Sequence, residues 1–205
     1  GKDEALHLVK NMLHNPGSVL YVRQQQPAGL GHAVWCARHL VGSEPVAVLL
    51  ADDLILGASC VKEMVDAYKG GNMVAVMDVP HEQTGSYGIV TPGADDGRIV
   101  QVEGLVEKPD PSSAPSNIAV VGRYIITPEV FETLAAQERG AGGEIQLTDA
   151  LAKQIGKAPF SGVRFSGERF DCGSKLGFLQ ANVAFGLNND AMRDQLRDWL
   201  GERLG

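Results

Sequence analysis

The residues best suited to chemistry are acids and a lysine at the ends of apolar runs. Pro45 introduces Val46-Ala47-Val48-Leu49-Leu50-Ala51, and the run stops at Asp52-Asp53. A carboxylate that ends a buried strand is a costly neighbour for an apolar core unless it is paired or binds a metal. Oxygen ligands of this kind suit Mg²⁺, which takes one or two protein carboxylates together with substrate phosphates. A solvated loop acid or a helix cap is the plainer reading. If the strand continues through both residues, Asp52 and Asp53 point to opposite faces and only one of them serves a given site. Asp171, between the β-like Gly162–Phe165 and Gly173, is a second acid of the same type.

Two further segments sit where ligands bind in open α/β sheets, at the carboxyl ends of strands. The loop Gln24 to Gly31 lies between Val19–Val22 and the helical pattern from His32, and Gly29 and Gly31 let a flat ring or a phosphate approach the backbone. A turn that needs glycine for its dihedrals is the alternative. It is not a dinucleotide fingerprint, because Val34 stands where the third glycine of G-x-G-x-x-G belongs. Glu107-Lys108-Pro109 sets an acid beside a base at the close of a β-segment, and strand alternation sends the two side chains to opposite sides. A surface ion pair would look the same. His32, Cys36 and His39 share one helical face, but nothing supplies the further ligand a zinc site requires. No G-x-S-x-G motif marks a serine hydrolase.

The elements that must position these residues alternate at first. Helical spacing over 3–13, a short buried strand at Val19–Val22, a helix over His32–Leu40, the strand 46–51, a helix over 58–69 and a strand at Met73–Val79 together predict a parallel, layered sheet. The middle is richer in β-structure, with Tyr87–Val90, Ile99–Val106 and Ile118–Ile126 separated by turn residues. Helices over Pro128–Gln137 and Glu144–Ile155 precede the strand near Gly162–Phe165. A largely helical tail runs from Lys175 to Leu204 with a break at Asn188-Asn189-Asp190. Its stripe of Phe178, Leu179, Val183 and Leu187 is expected to pack on the chain's own core, whereas Met192, Leu196, Trp199 and Leu200 form an exposed patch suited to self-association.

Composition narrows the function. The 205 residues are 44% hydrophobic and 21% charged, which excludes a disordered chain. Eighteen basic against twenty-five acidic residues leave a net charge of −7, with no global attraction to nucleic acid or an anionic membrane. An anionic substrate must therefore be held by local cations, backbone N–H groups or a metal. Three scattered cysteines, Cys36, Cys60 and Cys172, argue for a reducing, cytoplasmic setting. No apolar run approaches the length of a membrane span, and the amino end has no signal-peptide layout.

In order, VRQQQPAGLGHAVWCA, EPVAVLLADDLI, YGIV, VEKP, PSNIAVVGRYI, GGEIQLTDA and FDCGSKLGFLQA resemble the bacterial UTP–glucose-1-phosphate uridylyltransferases, members of the sugar-1-phosphate nucleotidyltransferase superfamily. The resemblance spans essentially the whole chain. It implies a layered α/β, nucleotide-diphospho-sugar transferase-like (Rossmann-like) fold with a mixed central sheet, residues 1–205 forming one domain with 174–205 as a helical tail. It also implies Mg²⁺-dependent transfer of UMP from UTP to glucose 1-phosphate, giving UDP-glucose and pyrophosphate.

Carried onto matching positions, the resemblance puts Gln24 and Gly29 at the uracil edge and Asp52 and Asp171 on the catalytic Mg²⁺, with Asp53 in a supporting place. Gly88, Glu107, Val120 and Gly122 line the sugar pocket, with Glu107 on glucose hydroxyls, and Lys108 faces the phosphate of glucose 1-phosphate. Members are commonly homo-oligomers, so a homodimer or homotetramer is expected. The family's opening strand and its glycine-rich G-T-R loop with a downstream Pro–Lys element have no counterpart in these residues, so the resemblance places the chain past the family's first third. The alternatives are a related sugar-1-phosphate nucleotidyltransferase and a non-catalytic sugar-nucleotide-binding or oligomerisation module. A metal-dependent sugar transferase fits less well, because Asp52-Asp53 is not D-x-D.

Overall fold

The apolar segments Asn72–Asp78 and Ile118–Ile126 become buried inner strands of a sheet, whereas the apolar run from Val46, expected to be a buried strand, lies at the sheet's edge and is only half-buried, with Leu49 52% exposed. A computed structural model describes residues 1–205, the Leu204 side chain excepted. In chain order the elements are α1 (Lys2–Asn11), α2 (Leu30–Cys36), β1 (Val46–Leu49), β2 (Asp53–Leu56), α3 (Cys60–Ala67), β3 (Asn72–Asp78), β4 (Gly88–Asp95), β5 (Ile99–Glu107), β6 (Ile118–Ile126), α4 (Pro128–Leu134), α5 (Leu147–Ala152), β7 (Phe160–Arg164), β8 (Glu168–Asp171), α6 (Lys175–Leu187) and α7 (Arg193–Leu204). Six strands form a sheet in the order β1-β6-β3-β7-β5-β4, and β2 and β8 form a separate two-stranded ladder.

β3 and β6 are buried on both faces, which is why they read as nearly unbroken apolar runs. Val74, Val76, Val120, Tyr124 and Ile126 turn toward α2, α4 and α5, where they meet Val34, Val130, Leu134, Leu147 and Leu151. Met73, Ala75, Val121 and Ile125 turn the other way, onto Cys60 and Met64 of α3. β4 pairs with β5 on one side and meets β6 only at Ile89 on the other, so Pro92 sits where no second ladder needs its missing donor; the register shifts there. The β4–β5 connection is set by Asp96, whose carboxylate accepts the N–H groups of Arg98 (2.9 Å) and Ile99 (2.7 Å), and by Gly97 at φ +89°.

The sheet is mixed, as the resemblance implies, but not the parallel sheet that helix–strand alternation predicts. Only β3 and β7 run parallel; β1–β6, β3–β6, β4–β5 and β5–β7 are antiparallel. The β-rich middle of the chain inserts β6 between β1 and β3, and its direction reverses the expected pairing.

Three local expectations are corrected. Val19–Val22 is not a strand: no strand lies beside it to take its ladder bonds among the described residues, and Tyr21 is 95% exposed. The apolar run 46–51 does not carry straight into Asp52-Asp53. The strand ends at Leu49, Ala51 and Asp52 form a turn, and Asp53 begins β2. The tail stripe holds only in its second half, where Val183 and Leu187 are half-buried. α6 buries Gly177, Ala181 and Gly186, because Gly177 must approach the Asp171 carbonyl and Gly186 receives Leu196 from α7, so Phe178 and Leu179 are left exposed.

Candidate active site

The two-stranded ladder brings the strand-end acids together. Asp53 pairs with Asp171 across β2 and β8, and just beyond the ladder the Cys172 N–H donates to the Asp52 carbonyl at 2.7 Å. A Cβ built on Gly173 would lie 3.0 Å from Asp171 Oδ1 and 3.2 Å from Asp52 Oδ2, so both carboxylates converge on this glycine. The Gly173 N–H donates to Asp171 Oδ1 at 3.0 Å, and Ser174 caps α6 by accepting the Gly177 N–H. Two carboxylates around a space kept free of side chain suit a hard divalent cation, which completes its shell with water and phosphate oxygens. No group of three His, Cys, Asp or Glu residues that could hold a metal occurs among the described residues. The pair thus suits a cation bound jointly with substrate. His32 and Cys36 do approach one another at 4.0 Å, but without a third ligand, so the zinc reading of that face is not supported.

Asp52 and Asp171 open into a cleft of about 320 Å³ also lined by Gly88, Glu107, Lys108, Val120 and Gly122. Sequence reasoning separates Glu107 from Lys108 by strand alternation, but the structure does not. β5 ends at Glu107, and Lys108 takes a left-handed backbone (φ +45°) that turns its side chain into the same cleft, 3.8 Å from Glu107 Oε1. The Lys108 N–H donates to the Tyr87 carbonyl at 2.9 Å, which holds the bend in place. A non-glycine residue at positive φ is uncommon, and such strained positions cluster at functional sites. The Glu107 side chain is 11% exposed and that of Lys108 53%, so the carboxylate is held in the wall while the ammonium reaches toward solvent. A Cβ on Gly88 would meet both Glu107 Oε2 at 3.2 Å and Thr148 Cγ2 at 3.2 Å, so glycine keeps this wall open.

Gln24 and Gly29 stand apart from that wall. Gln24 Nε2 donates to the Gly29 carbonyl at 3.1 Å and contacts His32 Nδ1 at 2.9 Å. Gly29, at φ +108°, packs against residues 144 and 145, where a Cβ would come within 2.8 Å of Glu144 Cβ and the Ile145 carbonyl. Neither residue lines the cleft, but their neighbours Leu30 and Glu144 do, so the loop meets one end of it.

Sequence reasoning missed several wall residues. Tyr87, Tyr124, Thr148 and Arg169 all line the cleft, and Asp53 is buried beside them. Burial, then the nearby Glu107 and Asp53 charges, push the Tyr124 phenol well above its usual range, so it stays a neutral donor. Thr148 lies within the GGEIQLTDA segment and Arg169 two residues before Asp171, but nothing in their chemistry or spacing marks either as a site residue.

The nucleotidyl transferase family model matches residues 3–186, and the chain belongs to that family. Within it the chain belongs with the UTP–glucose-1-phosphate uridylyltransferases. It is 48% identical over 202 residues to the enzyme of that name from Komagataeibacter xylinus, covering 97% of this chain and 69% of the relative. It is 45% identical over 199 residues to the one from Bacillus subtilis (strain 168), covering 96% and 68%. A crystal structure of UDP-glucose pyrophosphorylase complexed with UDP-glucose superposes with a TM-score of 0.85 at 38% identity, over 92% of this chain and 73% of that one. The UTP-bound enzyme from Acinetobacter baumannii gives a TM-score of 0.86 at 35% identity, over 98% and 71%.

Proposed function

We infer that this chain carries the transfer of UMP from UTP to glucose 1-phosphate, with UDP-glucose and pyrophosphate as products. The observation that carries the reading is the meeting of Asp52 and Asp171 with Glu107 and Lys108 across one cleft, in a chain whose relatives bear this activity by name. A phosphate oxygen of glucose 1-phosphate attacks the α-phosphorus of UTP, a new P–O bond forms, and the bond to the departing pyrophosphate breaks. The attacking phosphate is already ionised, so no general base is required. The work left to the protein is alignment and charge neutralisation.

Asp52 and Asp171 would hold the divalent cation, Mg²⁺ in our reading, whose bound form withdraws charge from the phosphates and orients them. Lys108 brings its ammonium between two anionic substrates. Glu107 accepts hydrogen bonds from the glucose hydroxyls, and Gly88, Val120 and Gly122 leave room for the ring. Gln24 and Gly29 shape the loop that faces the uracil edge. Residues 1–205 belong to one nucleotidyltransferase-like domain and span about two thirds of the length of the relatives, with 174–205 as the helical tail. Among the described residues no helix is long and apolar enough to cross a membrane, and the three unpaired cysteines support a cytoplasmic setting.

The test is UDP-glucose formation from UTP and glucose 1-phosphate with Mg²⁺, followed together with pyrophosphate release. Glu107→Ala removes a buried acceptor that a hexose hydroxyl needs. It is expected to lower kcat/KM for glucose 1-phosphate by about 10- to 100-fold and to leave the KM for UTP nearly unchanged. An equal loss for both substrates would count against a sugar-side role for Glu107.

The tail supports a homodimer or homotetramer. Leu176, Phe178 and Leu179 on α6, Met192 at the start of α7 and Trp199 within it are exposed, and exposed apolar surface of this extent marks interfaces more often than accidents. Deleting Asp190–Gly205 is expected to give a folded protein of smaller mass by light scattering. An unchanged mass would show that α7 does not hold the assembly together.

A further inference from the structure

The cleft contains a buried ion pair that the transfer reaction does not itself use. Arg169 and Asp53 have side chains only 10% and 7% exposed, and the guanidinium donates to Asp53 Oδ1. Removing two charges from water is costly and is repaid only when their remaining hydrogen-bonding capacity is met. Here it is met by cleft residues. Asp53 Oδ2 accepts the Gly122 N–H at 3.0 Å, and Arg169 Nη1 donates to the Tyr87 hydroxyl at 3.2 Å. A Cβ on Gly122 would fall 2.1 Å from Asp53 Oδ2, so this position in β6 has room for the carboxylate only because it is glycine. Burial disfavours the Arg169 charge, but Asp53 and the Tyr87 hydroxyl outweigh it, and the guanidinium is held protonated more firmly than usual.

The register of the β2–β8 ladder states what this pair is next to. Asp53 lies directly opposite Asp171, and Arg169 lies two residues before Asp171 in the same strand, so all three side chains leave one face of the ladder. Left unpaired, Asp53 would be a third carboxylate at the same end as Asp52 and Asp171, repelling both. Arg169 neutralises it and turns it toward β6. The Asp53 main chain is also fixed, since Arg123 donates to its carbonyl as well as to those of Leu50 (2.9 Å) and Gly122 (2.8 Å).

We propose that Arg169 and Asp53 are positioning residues: their buried pair fixes the spacing of the Asp52–Asp171 cation end and ties it, through Tyr87 and Gly122, to the wall that receives the hexose. The proposal rests on the uridylyl-transfer reading for its kinetic consequence, but not for its effect on cation binding. Partners that orient metal ligands typically contribute about 10- to 100-fold in affinity or activity when removed.

The test uses Arg169→Met and Arg169→Lys, with Mn²⁺ binding followed by electron paramagnetic resonance in the presence of UTP and no acceptor, alongside steady-state kinetics. Arg169→Met is expected to weaken Mn²⁺ binding and to lower kcat, each by about 10- to 100-fold. Arg169→Lys restores a cation opposite Asp53 and should recover most of both. If Arg169→Met fails to fold, Asp53→Asn, which keeps the shape and the acceptor for the Gly122 N–H, is measured in its place with the same expected losses. Folded variants with wild-type Mn²⁺ affinity and kcat overturn the proposal, as does a lysine variant that recovers nothing. A wild-type protein that forms no UDP-glucose would instead count against the transfer reading, and the Mn²⁺ measurement would still decide whether the pair organises the cation end.

Discussion

Asp52→Asn and Asp171→Asn are each expected to lower turnover by about 10³-fold or more while the protein remains folded. Each substitution conserves shape and an acceptor oxygen, so the Gly173 N–H keeps its bond at position 171. What is lost is one of two formal charges facing the space over Gly173. A cation held by only two protein carboxylates has little reserve when one becomes a neutral amide, and metal stabilisation of charge in the transition state amounts to several kcal/mol. At about 1.4 kcal/mol for each factor of ten, that corresponds to the stated loss. Pyrophosphate release at saturating UTP and glucose 1-phosphate measures it, with thermal denaturation as the control for folding. Near wild-type turnover in either folded variant would remove that residue from the cation site.

Lys108→Met should reduce kcat by roughly 10²- to 10³-fold, the range seen when a preorganised group facing transition-state charge is deleted. Methionine keeps an unbranched stem and the same left-handed backbone, so the conformational cost at φ +45° is common to both proteins and the thermal midpoint should hardly move. The 53% exposure of the lysine side chain also means that no core contact is lost. The effect should weaken glucose 1-phosphate use more than UTP binding, because the ammonium lies 3.8 Å from Glu107, the residue proposed to take the hexose hydroxyls. A variant with unchanged kcat would show that the ammonium does not sit between the reacting phosphates.

Much of the cleft wall was legible because its residues lie at the ends of apolar runs. Asp52 and Glu107 each follow an apolar run, and a charged group there demands an explanation from a single sequence. The pairing of β2 with β8 was not legible. Asp-Leu-Ile-Leu looks like a continuation of the run before it, and Glu-Arg-Phe-Asp has no β-pattern of its own. Each four-residue strand exists because the other pairs with it from a distant part of the chain. Arg169 was invisible for the same reason, since its partner is chosen by that register.

Strand alternation failed at Glu107-Lys108 because the backbone leaves the β region one residue before Pro109, a position where proline ordinarily favours extended structure. Val19–Val22 failed in the opposite sense, since four apolar residues supply propensity but not a neighbour. In the tail, helical periodicity located α6 correctly but misplaced Phe178 and Leu179, which are exposed while Val183 and Leu187 are half-buried. Close approach by Gly177 and Gly186 decides the packing there, and a hydrophobic stripe does not register it.

The central claim is that one cleft holds the cation at Asp52 and Asp171 and the hexose at Glu107. A crystal structure with UDP-glucose and Mn²⁺, read by the anomalous signal of the metal, tests it most directly. The account predicts a Mn²⁺ peak between the Asp52 and Asp171 carboxylates, in contact with the diphosphate, and glucose hydroxyls donating to Glu107 with Lys108 at the phosphate. Mn²⁺ bound away from that carboxylate pair, or a hexose lying outside the cleft, would contradict it.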